Sequence, residues 1–161
     1  MNLPFENWYP GDEYVDWMGV SYFVYDRYVH DPFLNFARQH NKPVMVAEAA
    51  PQGYDLDELT WSSPSHDGST RNDRTAEEIW DAWFAPFFDY VDENRDVVRA
   101  VAYINVDWNA QPMWEPGVQG YWGDSRLQVN TSIREHWLAE IDSDFWLHGS
   151  LKLFRILQGD P

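Results

Sequence analysis

The chain has no cysteine among its 161 residues, which excludes disulfides, thiol nucleophiles and thiolate metal sites. Basic residues are scarce: 11 Lys and Arg against 27 Asp and Glu leave a formal net charge of −16. A field of that sign repels phosphate backbones and anionic lipid, so neither nucleic acid nor a membrane surface is expected as a partner. No stretch approaches the roughly 20 apolar residues that a helical span requires. Met1-Asn2-Leu3-Pro4-Phe5 lacks a basic region and an apolar run, so no signal peptide is read there. The histidines, His30, His40, His66, His136 and His148, form no i, i+4 pair, and a zinc site is not expected. No glycine-rich phosphate turn follows any strand-like run, which weakens a nucleotide-binding sheet. No cofactor or metal is therefore expected.

Aromatic residues, by contrast, make up 17% of the chain, with ten Trp. Such rings fill cores, and they also supply flat platforms on which sugar rings stack. Most are expected in the core, Trp17 and Trp83 among them, with two or three lining a groove.

Strand-like and helix-like segments alternate. Val15 to Phe23 reads as a first strand, and Asp31-Pro32 as the opening of a helix through Phe33, Leu34, Phe36 and Ala37. Val44 to Glu48 is a second strand, followed by a long polar loop from Gln52 to about Asn72. Thr75-Ala76-Glu77-Glu78 resembles a capping start for a helix to Glu93, whose Ile79, Trp80, Trp83, Phe84, Phe87, Phe88 and Val91 recur at helical spacing. Pro86 inside it predicts a kink or break. Val97 to Ile104 is the third strand. A second loop spans Asn109 to Arg126, a helix covers Ser132 to Ile141, and a last amphipathic segment runs from Phe145 to Leu157. Alternation of this kind predicts one α/β domain over residues 1–161 with a parallel sheet.

Lys42-Pro43-Val44-Met45-Val46-Ala47-Glu48 carries the most information. A continuous β-branched run ending on an acid reads as a buried parallel strand with a carboxylate at its C-terminal tip, where α/β barrels keep their catalytic groups. The same spacing fits an acid that is merely the first solvated residue of a loop. A closed barrel needs eight βα units and about 250 residues, and the chain supplies three or four units. A partial barrel, completed by oligomerisation into a homodimer, is the expected architecture.

Four segments in order resemble glycoside hydrolase family 26 and related retaining enzymes: Trp8-Tyr9-Pro10-Gly11-Asp12-Glu13-Tyr14-Val15-Asp16-Trp17-Met18-Gly19-Val20, the Glu48 segment, Ala100-Val101-Ala102-Tyr103-Ile104-Asn105 leading to Trp108, and Gly120-Tyr121-Trp122-Gly123-Asp124-Ser125-Arg126. The resemblance implies that Glu48 is the counterpart of the catalytic nucleophile. It makes Tyr22 the residue that holds that nucleophile and Trp108 the floor of a sugar subsite, with Asn105, Trp114 and Trp122 as further substrate contacts. The implied substrate is a β-linked polysaccharide, a β-glucan such as cellulose or a β-mannan, and an extracellular setting for the parent family. The family's acid/base glutamate belongs to a strand that is missing here. Retaining hydrolysis needs two carboxyl groups about 5–5.5 Å apart. Asp12, Glu13, Asp107, Glu115 and Asp124 are the internal candidates for the second, with Asp107 preferred because it stands at a strand end beside Trp108. A non-catalytic, carbohydrate-binding remnant of a glycosidase barrel is the alternative.

Overall fold

A computed structural model describes residues 4–114, 120–150 and 153–158. Strand β1 (Met18–Tyr22) leads through helix α1 (Arg27–Gln39) to β2 (Val44–Ala49). A small antiparallel sheet follows, formed by β3 (Tyr54–Asp55), β4 (Thr60–Trp61) and β5 (Asn72–Asp73). Helices α2 (Ala76–Ile79) and α3 (Ala85–Glu93) then lead to β6 (Val98–Tyr103), and α4 (Thr131–Ile141) and α5 (Leu153–Leu157) complete the described elements. The central sheet has the order β1-β2-β6 with both pairings parallel, so the protein is mixed α/β.

Each long helix begins where a side chain satisfies amides that a helix start leaves without partners. The Asp26 side chain accepts from the Tyr28 amide, which starts α1 a full turn before the expected Asp31-Pro32 opening. Pro32 consequently lies inside α1, where its missing N–H forfeits only the bond to the carbonyl four residues back. Thr75 and Glu78 form the expected capping box of α2. The break expected at Pro86 takes the form of a π-helical turn, Trp80–Phe84, immediately before it. There the Ala85 amide reaches back five residues to the Trp80 carbonyl, and the chain continues helically. Asn130 caps α4 through a bond from the Ile133 amide.

One face of the sheet is dry. Met18, Tyr22, Val44, Val46, Ala49 and Val98 join Leu34 and Ala37 of α1, Trp83 and Phe84 of the π turn, Phe87 and Val91 of α3, and Ile133 of α4 in one core. The opposite face is open: Gly19, Ser21, Ala47 and Glu48 are exposed. Three strands curve into no closed barrel. Trp83 is buried at 4% exposure, as expected, but Trp17 is not a core residue. It precedes β1 and is 52% exposed, because the strand starts at Met18 and Trp17 lies outside the pleat that faces the helices.

The segment from Gln52 to Asn72 is not a structureless loop. Its two-residue strands are too short to leave a periodic trace in sequence, and it is docked by backbone bonds from Gly53 to Trp122 (3.1 Å) and from Leu56 to Asp124 (2.9 Å). Gly123 permits that close approach. Its φ is +81°, and a Cβ there would collide with the Tyr54 carbonyl oxygen. Among the described residues of the last segment the helix covers Leu153–Leu157, and Phe145 and Leu147 are exposed rather than on a buried stripe.

Candidate active site

Because β1, β2 and β6 run parallel, their C-terminal ends share one edge of the sheet. Just beyond that edge Ala50, Trp108 and Trp122 form a small buried cluster with Phe23, Ile104, Val106 and Trp114 packed around it. Phe23 meets the Trp122 ring edge-on at 5.0 Å. Glu48 stands at the same edge, on the open face of β2.

The placement of Glu48 depends on an irregularity of the backbone. Val20 of β1 lies opposite Val46, but the next residue, Ser21, lies opposite Glu48 rather than Ala47. Ala47 is an extra residue in β2, a bulge of the kind that re-aims a side chain beside a site. The Ser21 hydroxyl donates to Glu48 Oε2 at 2.9 Å. Behind it, Nε2 of the buried His30 lies 3.2 Å from the Ser21 carbonyl oxygen.

Tyr22 lies one residue further along, opposite Ala49, and on the other side of the sheet. It is 1% exposed, and its ring lies among His30, Trp83, Phe87 and Tyr90. Burial first, then the neighbouring Tyr90, Tyr25 and Asp89, pushes its hydroxyl well above the usual tyrosine range. Alternation along β1 sends Tyr22 into the core and Ser21 to the open face. The contact with Glu48 that the resemblance implied for Tyr22 is thus made by Ser21.

Trp108, Trp114 and Trp122 are brought together with centroid separations of 4.8–5.3 Å. Trp108 and Trp122 are each only 8% exposed, so their faces are largely spent on one another, while Trp114 is half-buried. Asn105 is exposed, but both ends of its amide are engaged. Its Oδ1 accepts from the Leu127 amide and its Nδ2 donates to Gln128.

Asp107 caps a turn by accepting from the Ala110 amide at 3.1 Å and lies 3.5 Å from an Arg126 terminal nitrogen. Its backbone forms an isolated antiparallel bridge with that of Asp124, whose carboxylate Arg126 grips through two of its nitrogens. Asp124 holds the Arg126 guanidinium above its ordinary range. Asp12 is at the opposite edge of the sheet, bonded to Tyr9 and to His40 ahead of β2. Glu115 lies outside the described residues.

Two supporting residues escaped sequence reasoning. Ser125, fully buried, accepts from Trp108 Nε1 (3.1 Å) and from the Val106 amide (3.3 Å), with its hydroxyl 2.7 Å from the Ile104 carbonyl oxygen. Asp55 is buried beneath the loop and accepts from the Asp57 and Glu58 amides, with the Tyr121 hydroxyl and Asn109 amide at 3.3–3.4 Å. Burial raises its carboxyl above the usual range, Glu58 and Asp124 add to that rise, and the two amides offset part of it. A cleft between α3 and the segment after α4, lined by Phe88, Asp92, Arg95, Phe145 and Trp146, shares no residue with this site.

No family model matches the chain. It is similar to a beta-1,3-xylanase of Alcaligenes sp, 40% identical over 154 residues that make up 92% of this chain and 32% of the relative. It is equally similar, 40% over 153 residues, to the beta-1,3-xylanase TXYA of Vibrio sp, covering 91% of this chain and 33% of that protein. The chain therefore spans about a third of the length of the curated relatives it matches. Both relatives carry the name of a glycoside hydrolase.

Proposed function

We propose that this segment carries the nucleophile half of a glycoside hydrolase active site and that its substrate is a β-1,3-linked xylan. The observation that carries the reading is Glu48. It is an acid at the C-terminal end of the central parallel strand, aimed to the open face by a bulge and flanked at the same edge by the Trp108–Trp114–Trp122 cluster. The 40% identity over nearly the whole chain to proteins named beta-1,3-xylanase supports xylan rather than the glucan or mannan expected from sequence.

In this reading one Glu48 oxygen attacks the anomeric carbon and a second carboxyl group protonates the leaving oxygen. Asp107 does not take that part, because the Ala110 amide and Arg126 already engage its oxygens in a turn. The proton donor is left to other polypeptide: the remainder of a chain as long as the relatives', or a second copy. Either would also cover the open sheet face and extend the three parallel units toward a barrel of the (β/α)8 kind.

Glu48→Gln assayed against wild type on the 2,4-dinitrophenyl glycoside of β-1,3-xylobiose, whose leaving group needs no proton donor, tests the assignment. Product release should fall by three orders of magnitude or more, since the change removes the carboxylate assigned to form the glycosyl ester. Equal release by both proteins refutes the nucleophile. The second reading, a carbohydrate-binding remnant, is favoured by the absence of another carboxylate hydrogen-bonded to the Glu48–Ser21 pair among the described residues. Binding of xylan without turnover by wild type, weakened in Trp114→Ala, would establish it instead.

A further inference from the structure

We infer that Ser21 is the positioning residue of Glu48, a role that rests on the reading of Glu48 as nucleophile. Three features converge on it. The bulge at Ala47 exists in the ladders to both neighbours of β2: Val46 to Ala49 spans three residues while Val101 to Tyr103 spans two, and Val20 to Ser21 spans one while Val46 to Glu48 spans two. The shift takes Glu48 out of the register in which Ser21 would face the Ala47 methyl. Second, the Ser21 hydroxyl donates to Oε2 at 2.9 Å and leaves Oε1 without a side-chain donor among the described residues. Third, the Ser21 carbonyl is anchored from behind by His30, which is itself bonded to the Asp26 cap of α1, so the strand end carrying the hydroxyl is tied to a helix start.

A carboxylate on an exposed strand tip is otherwise free to rotate about its side-chain bonds. Bonding one oxygen fixes the plane of the carboxylate and leaves the other oxygen as the attacking atom. Misplacement of an attacking atom by about 1 Å is worth on the order of 10²-fold in rate. The step served is a displacement: the bond from Oε1 to the anomeric carbon forms as the bond to the leaving oxygen breaks, and the electron pair departs with the leaving group. Water later cleaves the ester and loses its proton to solvent base.

The test uses the 161-residue chain and the 2,4-dinitrophenyl glycoside of β-1,3-xylobiose, whose leaving group departs without protonation and so bypasses the missing acid. The first-turnover release of dinitrophenolate is measured against probe concentration for wild type, Ser21→Ala, Ser21→Thr and Glu48→Gln, with a thermal melt of each. Ser21→Ala should lower the saturating rate constant by about 10–100-fold with the half-saturating concentration and Tm unchanged. Ser21→Thr, which keeps the hydroxyl, should recover most of that loss. A rate for Ser21→Ala equal to wild type, or a change confined to the half-saturating concentration, overturns the role of Ser21 while Glu48 stands. A Glu48→Gln protein as fast as wild type, or a wild-type chain that releases nothing, overturns the nucleophile assignment and Ser21 with it.

Discussion

Ser125→Ala is the sharpest probe of how the aromatic edge is held. The hydroxyl satisfies the Trp108 indole N–H and the Ile104 carbonyl, and receives the Val106 amide, all within 2.7–3.3 Å, with the indole bond fully buried and the two backbone bonds half-buried. Replacing it by a methyl keeps the volume close but takes this partner from all three groups and strands the indole N–H in the interior. Each buried polar group left without a partner costs about 1–3 kcal/mol. The Val106 carbonyl keeps the Ser125 amide (3.0 Å), which limits the damage on that side. The expected loss is about 1–3 kcal/mol in urea-unfolding free energy from the fully buried indole N–H, with less from the two half-buried backbone groups. The indole's share can be isolated with a double-mutant cycle using Trp108→Phe, which removes the N–H but keeps a ring. A coupling of about 1–2 kcal/mol between the two changes is expected for groups in direct contact. A Ser125→Ala protein within about 0.5 kcal/mol of wild type, in the range of ordinary surface changes, would refute the account of Ser125 as the hub of this edge.

Two further outcomes follow from burial. Burial raises the Asp55 carboxyl above the ordinary aspartate range, so between its ordinary and its raised value the folded protein binds more protons than the unfolded chain. Its contribution to stability therefore falls as pH rises through that window and levels off above it. Asp55→Asn should gain stability relative to wild type as pH is raised in urea titrations, and a difference independent of pH would contradict the sign. Trp83→Ala should cost on the order of 3–5 kcal/mol, because the ring stacks on Phe87 and its Nε1 donates to the Phe23 carbonyl at 2.7 Å, whereas Trp17→Ala should cost less than about 1 kcal/mol. Equal losses in thermal or urea melts would reverse the core assignment.

What sequence made legible was whatever repeats with the period of an element. The Val44-to-Glu48 run, the capping box at Thr75 and the apolar stripe through Val91 each sum over many residues, and the sheet order follows from their alternation. Features set by one residue did not show. Asp26, not Asp31, caps α1, because either acid satisfies the local rule and the later one had the added lure of a following proline. The strands β3, β4 and β5 owe their existence to bonds from Gly53 and Leu56 to residues about 70 positions away. The resemblance singled out Trp108 as a sugar platform, but nothing in sequence showed that Trp108 and Trp122 pack against each other.

The residue that meets Glu48 is Ser21 rather than the Tyr22 that the resemblance implies, and the reason is geometric. Sequence alignment with a family compares positions, and Tyr22 occupies the aromatic position that the resemblance pairs with a nucleophile. A strand, however, sends neighbours to opposite faces, and a single extra residue in β2 changes which of them meets the acid. With the ladder regular, Ser21 would face Ala47. With the bulge, Glu48 moves one place along, to the open face, and the hydroxyl of Ser21 is the group within reach. The chemistry of this edge therefore depends on a register that no residue type announces. Deleting Ala47 would restore a regular ladder with the acid still opposite Ser21, whereas inserting one more residue there would carry the acid on to the core-facing position opposite Tyr22.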